Sequence, residues 1–240
     1  GGYLPLVDLL ASAGAGIDAR AHNGWSALMF ASQRGHTNTV QALIKAGADI
    51  EAKDASGITA LMMALSSGEG AVAELLRGPT TSTTTSTTTS TSGGAGTITG
   101  AKEKDNKRGA SASAGASESS SGGVIYIDPS IGCSDEQMLM FARRGDALKV
   151  ENCLWFSSSI VEAKNPKGWT PLMYASNKGH IDVVKTLLKS GAALDSVKSD
   201  GCTALMLASF SGQTSAAKAL IKAGAKVDVN EGDGRTALMA

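Results

Sequence analysis

One short phrase, Gly-x-Ser/Thr-Ala/Pro-Leu-Met, occurs five times in this chain, at 24–29, 57–62, 168–173, 201–206 and 234–239. An interval of 33 residues separates Gly24 from Gly57, Gly168 from Gly201, and Gly201 from Gly234. A chain that repeats a phrase at such an interval builds one small unit many times. Each unit is too small for its own core and must bury its apolar side against the next.

The phrase and its surroundings spell out the unit. Ser26, Thr59, Thr170, Thr203 and Thr236 stand where a helix should begin, with a hydroxyl able to accept from an unpaired backbone N–H. Pro171 follows Thr170 at the first helical position, where proline is tolerated. Leu, Met and a small Ala follow, and Gly35, Gly68, Gly179 and Gly212 close this first helix in a left-handed conformation. A second helix is predicted from apolar residues three and four apart: Val40, Leu43, Ile44; Val184, Leu187, Leu188; Ala217, Leu220, Ile221. Lys45, Lys189 and Lys222 put a cation in its last turn, followed by glycine. A short extended stretch then leads to the next unit.

The 33-residue period, the G-x-[ST]-[AP]-L-M-x-A segment, the turns Gly35-His36 and Gly179-His180, and the [LI]-[IL]-K-x-G-A close resemble ankyrin repeats. The resemblance implies an all-α solenoid of helix-turn-helix units joined by short β-hairpins. The family usually has histidine where this chain has Met29, Met62, Met173, Met206 and Met239. Methionine fills the same space without the polar side chain that ties neighbouring hairpins together.

Residues 1–77 read as N-terminal repeats. They hold the second half of a truncated unit at 1–20, a complete unit at 21–53, and a unit at 54–77 that is one residue short in its turn. Residues 78–123 interrupt the pattern with thirteen consecutive Thr or Ser from Thr80 to Ser92, then Gly-, Ala- and Ser-rich sequence. Too little apolar surface is present to offset the entropy of ordering, so a disordered linker is expected, its ends averaging roughly 35–40 Å apart. A tract for phosphate or sugar attachment is the alternative reading. Residues 124–240 read as C-terminal repeats, with complete units at 167–199 and 200–232 and the beginning of another at 233–240. The stretch 134–166 is a degenerate unit with a polar start, where Ser134 and Gln137 form a capping-box pattern. Two arrays are favoured over one uninterrupted stack, although Val124-Ile125-Tyr126-Ile127 could supply a hairpin strand that makes the stack continuous. Both ends stop within a unit, so a fragment of a longer chain is expected.

Chemistry is sparse. His22, His36 and His180 are scattered; two of them recur at one repeat position and read as turn caps. No catalytic constellation, metal set or cofactor is expected, and the chain reads as a non-enzyme. Gly94–Gly100 imitates a dinucleotide loop without the strand and helix it needs. Cys133, Cys153 and Cys202 are an odd number at no paired spacing. They read as reduced thiols, with Cys153 in the core and Cys202 at the surface, which points to an intracellular, cytoplasmic protein. With 22 basic against 22 acidic residues there is no built-in pull toward nucleic acid, and no run is apolar enough for membrane insertion.

Recognition of other proteins is what remains. In ankyrin repeats the hairpin tips and first helices line the concave side, which here implies His22, Trp25, Gln33, Arg34, Lys167, Trp169, Asn177, Lys178 and Phe210 as the binding set. Tryptophan and arginine most often dominate interfaces, and the cations suit a partly acidic segment. The competing reading is that each tryptophan packs on its own hairpin. The expected function is a scaffold or adaptor module; the alternative is a regulatory or targeting segment of a larger enzyme or channel. Weak self-association through uncapped ends is a further expectation.

Overall fold

The computed structural model describes residues 4–77 and 133–239. The Thr/Ser tract, the 94–100 segment and the 124–127 run lie outside the described residues. Eleven α-helices are described: α1 Leu4–Ser12, α2 Ala27–Gln33, α3 Thr37–Lys45, α4 Ala60–Ser66, α5 Gly70–Arg77, α6 Asp135–Arg144, α7 Ala147–Phe156, α8 Pro171–Lys178, α9 Ile181–Lys189, α10 Ala204–Phe210 and α11 Thr214–Lys222. Two 3-10 turns, Ser158–Glu162 and Ala237–Met239, complete the set.

The recurring phrase is a helix start. Ser26, Thr59, Thr170 and Thr203 each accept, through the side-chain oxygen, from the backbone N–H three residues on, at 3.3–3.4 Å. Ser134 and Gln137 close the expected capping box at 3.3 and 3.0 Å. The turn glycines Gly35, Gly68, Gly179 and Gly212 all have φ between 65° and 77°, where a side chain would be strained. The expected hairpins are tight turns without a ladder. Each is closed by one bond between residues four apart, as in Ala21 N–H to Trp25 C=O (3.0 Å) or Lys198 N–H to Cys202 C=O (3.1 Å). Among the described residues the sole β-bridge is Lys53–Thr59.

These closing bonds start the units at Ala21, Asp54, Asn165, Lys198 and Glu231. In the C-terminal block that is two residues before the division suggested by the glycines. The unit at 54–77 is not a residue short: α5 begins at Gly70, 33 residues after Thr37 begins α3. Glu69 occupies the place of His36, and Val72, Ala73 and Leu76 supply the buried side.

Stacking makes the core. Among first helices, α6 packs on α8, α8 on α10, α10 on the turn Ala237–Met239, that turn on α2, and α2 on α4. The second helices follow in the order α7, α9, α11, α1, α3, α5. The described residues of both sequence blocks thus form one stack, with the C-terminal block first and α1 as the second helix of a unit begun by 231–239. Hydrogen bonds between neighbours carry the same register through this junction. Asp228 Oδ1 accepts from Gly16 N–H at 2.8 Å, as Asp18 accepts from Asp49 (2.9 Å) and Asp195 from Lys226 (3.0 Å). Asp233 C=O accepts from His22 N–H at 3.0 Å, matching Lys167 with Ser199 and Asp200 with Gly232.

Between the layers lie the leucines, methionines and alanines of the phrase. Met29, Met173, Met206 and Met239 are at most 2% exposed, each burial stabilising by about 1.5–3 kcal/mol. Ala64, Ala175 and Ala208 are wholly buried, and without bulk they let adjacent first helices approach closely. A chain with so few rings builds its interior this way.

The cysteines depart from expectation. Cys133, just ahead of α6, is bonded to Cys153 on α7. Cys153 is a core residue as expected, but it is not a free thiol, so the pair no longer argues for a reducing compartment. Cys202 is buried rather than superficial.

Candidate protein-binding face

The turn tips and first helices present one face of the stack, and every residue singled out there can now be placed. In unit 21–53, Trp25 lies half-buried on Phe30, ring centroids 5.0 Å apart and nearly edge-on. Its indole N–H donates to Asp54 Oδ2 of the next unit at 3.1 Å. Arg34 extends over Phe30, 6.0 Å from the ring centre, and Gln33 is exposed beside it. In unit 165–197, Trp169 stacks on Tyr174 at 4.7 Å. Lys198 of the next unit sits over the indole at 5.5 Å. Lys167 and Lys178 are exposed, and Asn177 accepts from the Ser211 hydroxyl at 2.6 Å. Phe210 carries Arg235 above its ring at 5.9 Å. His22 lies across the junction in a cleft of about 380 Å³ lined also by Asn23, Phe30, Asp233 and Arg235.

Each tryptophan therefore packs within its own unit and against its neighbour's turn, while keeping part of its ring open. The residues that sequence reasoning missed are their partners. Phe30 and Tyr174 follow directly after the Leu-Met pair, where other units have Met63 and Leu207. That variable place next to a fixed phrase was the available signal. Lys198 and Arg235 had none, because each reaches its ring from the following unit.

The electrostatics are local. Burial pushes the Cys202 thiol up to about 12, and the Glu231 carboxylate beside it acts in the same direction. Cys202 donates to Glu231 Oε2 at 2.9 Å, and Glu231 also pairs with Arg235, Nε to Oε1 at 2.5 Å. A thiol so placed is a poor nucleophile, held in the interior and not at the surface where the sequence placed it. Backbone N–H donation from Ile58 holds the Asp54 carboxyl below its ordinary value, helped by Ser56 and by the Trp25 indole. His36 and His180 occupy the first cap of a second helix without capping it through their side chains. The His180 ring instead lies 3.1 Å from Arg143 C=O of the preceding unit, so His180 joins units. Burial lowers the His36 pKa, with Arg34 adding to the effect.

Among the described residues no cluster of three or more His, Cys, Asp or Glu is placed to hold a metal. No helix among them is long and apolar enough to cross a membrane. What the arrangement offers is a face on which Trp169, Phe210 and Phe30 each carry a cation above the ring, in three units of the solenoid.

That architecture is that of an α-helical repeat protein of stacked pairs. Residues 1–85 and 138–233 match the family model described as ankyrin repeats, in three copies. The matched stretches cover well over half of the chain, and it belongs to the ankyrin-repeat family. A search of curated proteins returned no match. Ankyrin repeats are generally protein–protein interaction modules, and no catalytic domain was identified alongside them.

Proposed function

We propose that the chain is a non-catalytic interaction module of scaffold or adaptor type that grips a partly acidic protein segment on its tip-and-first-helix face. One observation carries this reading: a ring with a cation over it recurs along that face at Phe30–Arg34, Trp169–Lys198 and Phe210–Arg235, at 5.5–6.0 Å. Cation and ring attract in this geometry, so the long side chain is held in place before a partner arrives. A preordered cation costs less side-chain entropy on binding. A peptide with a carboxylate beside an apolar anchor would meet charge and ring together at each of these three places.

The test is selection from a random peptide display library against the full chain. Enriched peptides should combine Asp or Glu with an apolar anchor. Their binding should weaken at least about tenfold in Trp25→Ala/Arg34→Ala/Trp169→Ala/Lys178→Ala with the helical circular dichroism intact, and should weaken as salt rises. Enrichment indifferent to charge, or binding untouched by the fourfold variant, overturns the proposal. An intracellular, cytoplasmic setting belongs to the same reading, supported by the lack of any Asn-x-Ser/Thr acceptor. A Cys133–Cys153 bridge weighs against it, and isolating the native protein with its thiols blocked decides.

A further inference from the structure

The two ends of the stack differ in what they leave open. At unit 54–77, Ile58 is 38%, Met62 53% and Leu65 51% exposed. In unit 21–53 the matching Met29 and Ser32 are 0% exposed, covered by the helices that follow. The backbone gives the same message independently. A Cβ added at Gly24 or Gly168 would strike the backbone of the next unit's turn, and one at Gly35, Gly145 or Gly179 would strike Glu69, His180 or Gln213 of the next unit. At Gly57 and Gly68 no atom of the described residues lies within 4 Å. Unit 54–77 thus keeps every feature of a seat for a following ankyrin unit, with Leu65 standing where interior units have a small serine.

In the first unit of the stack it is the opposite side that no described element covers. Lys149 is exposed at the place where Val183 and Ala216 are buried against a preceding unit, and its ammonium lies 5.3 Å from the Phe141 ring centre. Asp146 stands at the place from which His180 and Gln213 reach back over the preceding glycine. The seat and the side that fits it face opposite ways along one stack, so they cannot meet within it.

We propose that the open face of unit 54–77 docks the α6–α7 unit of a second copy of this chain, head to tail, continuing the unit-to-unit interface of the interior. Ile58, Met62 and Leu65 meet Phe141 and the Lys149 stem, and Asp146 comes over Gly68. Such a contact is heterologous and leaves a seat free on every copy added, so the assembly grows past the dimer. The proposal stands apart from peptide binding: it uses the end of the stack, and its readout is mass and cross-linking.

The interior contact of Asn177 with Ser211 at 2.6 Å recurs by register as Ser66 of one copy beside Arg144 of the next. Sedimentation of the full chain over a concentration series should show mass climbing beyond dimer. Met62→Glu/Leu65→Glu, at sites already exposed, should weaken this at least about tenfold, since a carboxylate on an apolar seat is costly. Mixing a Ser66→Cys chain with an Arg144→Cys chain under mild oxidation should cross-link the two to each other. A monomer mass at every concentration overturns the proposal. So does a mass that stops at dimer with Ser66→Cys cross-linking to itself, which would mean a face-to-face pair.

Discussion

Met206 and Met62 close the same phrase, yet one is 1% exposed and the other 53%. Their starts agree: Thr203 and Thr59 accept from the methionine N–H at the same 3.3 Å. Their φ-positive glycines agree too. The two units differ in having or lacking, among the described residues, a neighbour on one side. In a solenoid, local structure belongs to the unit, whereas burial belongs to the pair. Residue type therefore predicts helix and turn equally well at both places and predicts stability at only one.

The largest expected contrast is chemical. Cys202 occupies the place that Ile58 holds in the end unit, and a thiol pushed up to about 12 carries very little thiolate at pH 8. An Ile58→Cys chain should react with an aromatic disulfide reagent about a thousandfold faster than Cys202 does in the native fold, three pKa units being that factor. Comparable rates measured by absorbance would break the comparison. Next comes packing. Met206→Ala should cost about 2–5 kcal/mol and Met62→Ala less than about 0.5 kcal/mol, both read from urea midpoints with m-values. Equal losses would mean that something already covers Met62, and if that loss grows with protein concentration it would favour head-to-tail docking.

The smallest effect sharpens the same contrast at the turns. Asp54 Oδ1 accepts from Ser56 and Ile58 N–H at 2.8 Å, and Asn165 Oδ1 does the same for Lys167 and Trp169 at 2.9 Å. Only the aspartate titrates. Its folded pKa is lowered, so the unfolded chain binds more protons in the acid range. The stabilisation is complete above the ordinary carboxylate value of about 4 and is lost as pH falls through the lower folded value. Asp54→Asn should flatten the fall in thermal midpoint below pH 4 on differential scanning, and an unchanged slope would remove Asp54 from the account.

Much of the fold was legible because its signals are local. A hydroxyl accepting three residues on, a glycine at positive φ and an apolar stripe each need only one unit to be read. Several of the missed features join separate units or distant stretches of chain. Cys133 and Cys153 lie 20 residues apart with no paired spacing, and only the return of α7 along α6 brings their sulfurs together. The His180 ring spans to Arg143 C=O, 37 residues away. Lys198 and Arg235 reach their rings from the following unit, so a search for binding residues unit by unit finds Trp169 and Phe210 and misses the cations above them. The deletion expected in the turn of 54–77 disappears once the starts of the second helices are aligned. Ala73 then takes the place of Val40, and Val72 that of Val183.

The sequence by itself determined the unit, since capping, turn and amphipathic stripe are interactions within about ten residues of each other and tolerate no other local geometry. Only the tertiary structure decided the order of stacking, the joining of 231–239 to α1, and which end keeps an apolar seat. Every unit offers nearly the same two sides, so a repeating sequence specifies how neighbours touch but not which neighbours they are. That choice is made by hydrogen bonds and side-chain contacts between stretches that the chain itself holds far apart.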